Sequence, residues 1–463
     1  MSLNIMRKES LTRYLGEDKL FVKSMNARDL MAMGIGTVIG TGIFILPGTI
    51  AANSAGPGVS LSFLLSAVVC ALAAMCYAEF ASALPVAGSA YSYGNVVFGE
   101  FLGWLLGWAL VLEYMLAVAS VSTGWASYFN TLLEGVGLHI PHALSGAFDP
   151  AHGTYINIVA VAIVLLITMM LSRGMRESLR INNIAVFLKI AIIVIFIIVG
   201  FFFIKPANYH PFLPFGTKGV IHGATISFFA YLGFDCISSS AAEVKNVKRN
   251  MPIGIIGTLA VVAVLYTAVA FVLTGMVKYT KLDVANPVAF ALQMVHQDWL
   301  AELLSIGALI GMFTMMISMI YSSSRLIYAI GRDGLLPAFL GKLDKKSHSP
   351  QIALWIVGII IAAMGGLVSL DQLTSLVNIG TLLAFMVVSF GIIPLRRRKD
   401  IGNRGGFKVP LYPILPILSG LACLAMMTQL EKITYIGAGI WFGIGIIIYF
   451  AYGYWHSKLQ GTN

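Results

Sequence analysis

The sequence predicts an all-α polytopic membrane protein, and three observations lead there. Of its 463 residues, 58% are hydrophobic and only 11% are charged, too little polarity to cover a soluble globule of this length. Apolar stretches of about twenty residues recur along the chain, each long enough at about 1.5 Å per residue to cross a roughly 30 Å hydrocarbon core. The connecting segments alternate between crowded with lysine and arginine and nearly empty of them. That alternation is a topology signal, so the net charge of +10 points to a lipid bilayer and not to nucleic acid.

Spans are predicted near residues 28–52, 57–83, 101–130, 153–171, 181–204, 219–243, 252–277, 301–331, 351–370, 373–394, 411–428 and 434–456. Twelve crossings return both termini to one side. Segments on that side carry twenty-four of the thirty basic residues, among them Arg13, Lys19, Arg176, Lys345, Lys346, Lys399 and Arg404. The opposite loops carry only Lys205, Lys218, Lys278, Lys281 and Lys432, and Lys189 is left inside a span. Positive residues stay inside, so residues 1–27 and 457–463 are expected as cytoplasmic tails of a multi-pass plasma-membrane protein. The first 27 residues lack an apolar core followed by a cleavage site, so no signal peptide is expected. Cys70, Cys76, Cys236 and Cys423 lie in apolar segments without metal-ligand spacing and are expected as small buried side chains without disulfides.

Span one contains Gly34-Ile35-Gly36-Thr37-Val38-Ile39-Gly40-Thr41-Gly42-Ile43-Phe44, four glycines where a membrane helix should run unbroken. An unpaired backbone group in hydrocarbon costs several kcal/mol, so a break survives there only when buried in protein or lining a cavity. Counting from Arg28, Gly40 lies about 18 Å along the helix, near the midplane. Unwinding at Gly40-Thr41-Gly42 exposes N–H groups suited to a carboxylate, and the opposing end exposes carbonyls suited to an ammonium. A zwitterion with both groups on one carbon fits that pair. Gly36 and Gly40 are also four apart, which suits a helix-packing face equally well.

Span six repeats the interruption in Phe228-Phe229-Ala230-Tyr231-Leu232-Gly233-Phe234-Asp235, about 21 Å from its start. Asp235 is expected to cap the half-helix that follows. Breaks five spans apart run in opposite directions, the pattern of inverted repeats with a site at their interface. Repeat one is expected over 28–204 and repeat two over 219–394, with 411–456 outside the pair. Phe229 is placed to cover a ligand from the outer side, and Met319, Ser318 and Ser322 lie midway along span eight, Met319 bordering a ligand side chain.

Three groups of charged residues complete the reading. Lys189, about eight residues into span five, is an expensive ammonium that either trades its proton, pairs permanently or bends its stem to the surface. Glu113, near the middle of span three, is either a satisfied structural acid or a participant in proton transfer. Glu79 is expected at the inner interface, and Arg325, Arg332 and Asp333 as inner-surface anchors or an inner-gate ion pair. His139, His142 and His152 fall in one outer loop and are read as exposed, with no metal spacing on a helix.

Four stretches, GIGTVIGTGIF, YAEFASALPVAGSAYSY, FFAYLGFD leading to EVKNVKRNMP, and SRLIYAIGRDGLLP, together resemble the amino acid–polyamine–organocation transporters, and most closely the bacterial relatives of the cationic amino acid transporters. The resemblance implies the leucine-transporter fold, with five-plus-five inverted repeats and two extra helices. It implies α-group contacts at Val38, Thr41 and Gly42 in the first break and at Phe229, Ala230 and Leu232 in the second. Ile39, Gly40 and Met319 complete the expected substrate-binding set. Lys189 resembles the lysine that replaces a sodium ion in proton-coupled members, and Glu113 matches an acid of their third span. Bulky Met319 and the absence of a clear acidic partner near the breaks favour neutral substrates. The expected activity is therefore proton-coupled import of neutral L-amino acids, with no enzymatic chemistry and no cofactor beyond the proton. The alternatives are a cationic amino acid or polyamine carrier, an exchanger, or a receptor of the same fold.

Overall fold

The computed structural model describes residues 7–8, 23, 25–86, 89–173, 179–344, 349–398 and 406–461. Arg13, Lys19, Arg176, Lys345, Lys346, Lys399 and Arg404 lie outside the described residues, as do Ala87 and Gly88 of the second quoted stretch. The helices in chain order are α1 (Ala27–Val38), α2 (Thr41–Phe44), α3 (Leu46–Ile50), α4 (Val59–Ala83), α5 (Ser89–Val97), α6 (Glu100–Gly135), α7 (Ile158–Ser172), α8 (Leu179–Phe201) and α9 (Gly216–Ser227). They continue as α10 (Cys236–Ser239), α11 (Val247–Met276), α12 (Pro287–Gln293), α13 (Asp298–Arg332), α14 (Gln351–Leu367), α15 (Leu370–Arg397), α16 (Ile414–Met427) and α17 (Lys432–Ile448). Pairing between extended segments among the described residues is confined to three isolated bridges, one joining Met25 to Val244.

Among the described residues, eight helical runs are long and apolar enough to cross a membrane: Leu46–Ala83, Glu100–Gly135, Ile184–Phe201, Gly216–Ser239, Val247–Met276, Asp298–Arg332, Leu370–Arg397 and Lys432–His456. Three shorter apolar helices, α7, α14 and α16, accompany them. The expected first span is divided among α1, α2 and α3, and its C-terminal part runs through a Gly56-Pro57-Gly58 turn into α4. The short α5 and α12 escape the hydropathy pattern because a nine- and a seven-residue helix have no transmembrane length.

Local chemistry sets many of the ends. Asn26 and Asp29 form a capping box at the start of α1, with the Asn26 N–H donating to Asp29 Oδ2 at 2.9 Å. Asn157 accepts from the Ala160 N–H to start α7, and Ser369 accepts from Gln372 to start α15. α4 stops at Leu84, the residue before Pro85, where helical backbone is disfavoured. α11 begins at Val247, five residues before Pro252, where the prediction placed its start. The carbonyl to which Pro252 cannot donate belongs to exposed Lys248, so the proline costs little there.

The centre of the bundle is α6, 83% of whose apolar window is buried against α13, α14 and α15. α11 packs on α4 and α1, which seats the first broken segment inside the bundle. The run containing α17 is only 22% buried and shows Ile433, Ile436, Ile440 and Ile447 outward, as a lipid-facing helix does.

Glu79, expected at the inner interface, is enclosed by protein. It is buried, accepts from Arg396 Nε and Nη2 at 2.7 Å each, and takes the Val409 N–H at 2.6 Å. A carboxylate with three donors is fully compensated, and it locks the C-terminal ends of α4 and α15 to the lead-in of α16.

Candidate functional site

Both interruptions are present. α1 ends at Val38, Ile39 is extended, and Gly40 takes φ −130°, ψ −137° before helical geometry resumes at Thr41. In the second break α9 gives way to a 3₁₀ turn over Phe228–Tyr231, Leu232 is extended, and Gly233 adopts φ +106°, a conformation open to glycine. The two breaks touch. A Cβ on Gly42 would lie 2.6 Å from both Cα and Cβ of Ala230.

The carbonyls at the end of α1 are already engaged. Lys189 Nζ donates to Gly36 O at 2.8 Å and to Ile39 O at 3.4 Å, and Tyr266 OH of α11 donates to Val38 O at 3.0 Å. Their first lone pairs go to the protein, which modifies the expectation of wholly free carbonyls for an ammonium; each keeps a second. At the other side of the break no side chain caps α2, and the Thr41 hydroxyl is buried with no partner among the described residues. Tyr128 OH fixes the continuation beyond α2 by donating to Phe44 O at 3.1 Å.

Lys189 is 1% exposed, and its stem packs within 3.0–3.4 Å of where a Gly311 Cβ would stand. Snorkelling is therefore overturned: the ammonium end points inward to the broken helix. Asp235 corrects a second expectation. Its carboxylate makes no capping bond to α10; Oδ2 accepts from Tyr114 OH at 2.8 Å, and Oδ1 has no partner among the described residues. The backbone of Asp235 is itself helical, φ −67° and ψ −27°, whereas a capping side chain reaches N2 or N3 from extended backbone. Glu113, beside Tyr114 on α6, is fully buried; neither of its oxygens has a partner among the described residues, and it interacts electrostatically with Asp235.

Phe229 and Ala230 lie in the 3₁₀ turn, and Leu232 forms the extended link. Met319 lies 3.4 Å from where a Gly233 Cβ would be and takes the Cys236 thiol at 3.7 Å. Val38, Ile39, Gly40, Thr41, Gly42, Phe229, Ala230, Leu232, Met319 and Lys189 thus converge on the two breaks, and Glu113 joins them through Asp235. Ser318 donates to Thr314 O within its own helix. Sequence reasoning missed Tyr266, Tyr114 and Met315. Tyr114 was findable as the neighbour of Glu113, and Met315 as one turn before Met319; Tyr266 had no local signal.

Away from the breaks, Arg325 pairs with Glu243 at 3.9 Å, and buried Asp333 accepts from Tyr91 OH at 2.8 Å. His139, His142 and His152 are exposed as expected. The His152 ring bonded at 2.6 Å to Asp149 holds that carboxyl below the usual carboxylate range. All four cysteines are free and buried.

The amino acid permease family model matches residues 26–452, nearly the whole helical region. The chain is 49% identical to the methylthioribose transporter of Bacillus subtilis (strain 168), over 96% of each protein. It is 43% identical to the branched-chain amino acid permease BcaP of the same organism, over 99% of this chain and all of that one. With the vacuolar cationic amino acid transporter 4 of Arabidopsis thaliana it shares 33% identity over 81% of this chain and 63% of that protein. Two broken helices meeting inside a helical membrane bundle, matched end to end by permeases, leave one conclusion: the chain belongs to the amino acid permease family, within the amino acid–polyamine–organocation transporters, and has the leucine-transporter fold.

Proposed function

We propose that this permease is a proton-coupled symporter that imports neutral L-amino acids across the plasma membrane by alternating access, with both termini cytoplasmic. The observation that carries the reading is the 2.8 Å bond from Lys189 Nζ to Gly36 O. A protonated lysine donates there with full charge, and loss of the proton weakens that tie to the end of α1. Proton binding is then a ligand that favours one arrangement of the first break, and the amino acid is a second ligand that favours a related one. Coupling is the free energy the two share. Glu113, with unpartnered oxygens beside Asp235, is the second candidate for proton handling.

Neutral substrates are supported by buried, apolar Met319 at the second break and by the similarity to permeases named for branched-chain amino acids. The broken ends, offering N–H groups on one side and carbonyls on the other, favour a zwitterion over the uncharged methylthioribose of the 49% relative. Similarity to cationic transporters keeps arginine in the test.

The test is uptake of labelled leucine into proteoliposomes under an imposed inward proton gradient, with alanine, valine, arginine and methylthioribose as competitors. Neutral amino acids compete and the gradient drives accumulation. Lys189→Ala abolishes the gradient-driven part. Unchanged pH dependence in that variant sinks the coupling role, and stronger competition by arginine or methylthioribose reassigns the substrate.

A further inference from the structure

Met312, Met315, Met316 and Met319 stand at i, i+3, i+4 and i+7 on α13, one face of one helix. All four are buried, which alone says only that the face is packed. Their neighbours say more. Met319 lies against the second break, at Gly233 and Cys236. Met315, one turn away, lies against the first: its Sδ is 3.0 Å and its Cε 3.7 Å from where a Gly40 Cβ would stand. Met315 retains 4% accessibility, whereas Met312, Met316 and Met319 have none. Met315 thus stands against the first break as Met319 stands against the second.

We infer that Met315 sets substrate selectivity by limiting the side-chain compartment on the first-break side, opposite Met319. This deepens the proposed function and rests on it. An amino acid held by its α-groups at the breaks meets the face of α13 with its side chain, between the two thioethers that stand against the breaks. Methionine suits the place because its unbranched stem adjusts to side chains of somewhat different shape. Shortening Met315 admits longer side chains, and a rigid ring excludes them. One methylene in an apolar pocket discriminates by about 10- to 200-fold, so a change of several heavy atoms is expected to shift the ratio by tenfold or more.

The experiment compares alanine, leucine, phenylalanine and tryptophan as competitors of labelled leucine uptake in proteoliposomes of the full chain. The same amino acids are tested by ligand-induced thermal shift in detergent, which reads binding without turnover. Met315→Ala improves phenylalanine relative to alanine about tenfold, and Met315→Phe moves that ratio the other way. Met312→Ala, the same truncation on the same face without residual accessibility, leaves the ratio at the wild-type value. An unchanged ratio in both Met315 variants, or an equal change in Met312→Ala, overturns this assignment while leaving the transport reading intact. Absence of any amino acid flux or thermal shift in the wild type overturns both.

Discussion

Gly42 is the residue at which the two broken helices depend on each other most directly. Its missing Cβ would stand 2.6 Å from backbone and side-chain atoms of Ala230, and backbone cannot swing aside as a flexible side-chain end can. Gly42→Ala therefore forces the breaks apart, at about 1–3 kcal/mol for overpacking. Leucine uptake is expected to fall at least about tenfold with the protein still present in the membrane fraction. Gly439→Ala, where nothing lies within 4 Å, is expected to transport normally. Equal uptake by the two variants would remove Gly42 from the contact that organises the site. The glycine clusters were legible because a helix has no local use for them in its middle. The fate of Asp235 was not. A carboxylate after a break suits a cap, but which donor claims it depends on Tyr114, 121 residues away.

At the scale of the element, a broken helix survives in a membrane only if its loose carbonyls find donors. The end of α1 finds them on two other helices, Lys189 of α8 and Tyr266 of α11. Lysine donates with a charge that can be removed; tyrosine donates permanently, so Tyr266 maintains the break in both protonation states. Tyr266→Phe deletes that donor while keeping a ring that packs edge-on against Phe63 at 5.9 Å. It is expected to lower stability by about 1–3 kcal/mol, the cost of an orphaned buried acceptor, and to slow uptake without removing its proton dependence. Melting in detergent and pH-dependent flux read the two effects, and loss of proton dependence here would show that Lys189 does not act alone. Lys189 was visible from sequence as a charge out of place, whereas Tyr266 is one of 18 tyrosines in an apolar run with nothing local to distinguish it.

For the whole molecule, one end of the bundle is tied together by one carboxylate that connects distant parts of the chain. Glu100, the first residue of α6 and 2% exposed, accepts from Arg7 Nη2 at 3.2 Å, from Tyr449 OH at 2.9 Å and from the Ser457 hydroxyl. Arg7 also lies over the Tyr454 ring at 4.7 Å, and the Lys458 N–H donates to Asp333 O at the end of α13. Arg7 and Ser457 are thus fastened to α6, and the neighbouring Lys458 to α13, across 93 residues in one direction and 357 in the other. Such separations are why the clasp was illegible: composition and periodicity report neighbours along the chain, and a polar pair 357 residues apart has no period. Glu100→Ala leaves a guanidinium and two hydroxyls facing a gap and is expected to destabilise by about 3 kcal/mol. Arg7→Ala should cost less, because Glu100 retains its two hydroxyl donors and sits at a helix N-terminus, where a carboxylate is favoured by about 0.3–1 kcal/mol. Thermal melting of both single variants and the double variant separates these terms, since residues in one network are non-additive. If Arg7→Ala proves as costly as Glu100→Ala, Arg7 and not the carboxylate organises the clasp.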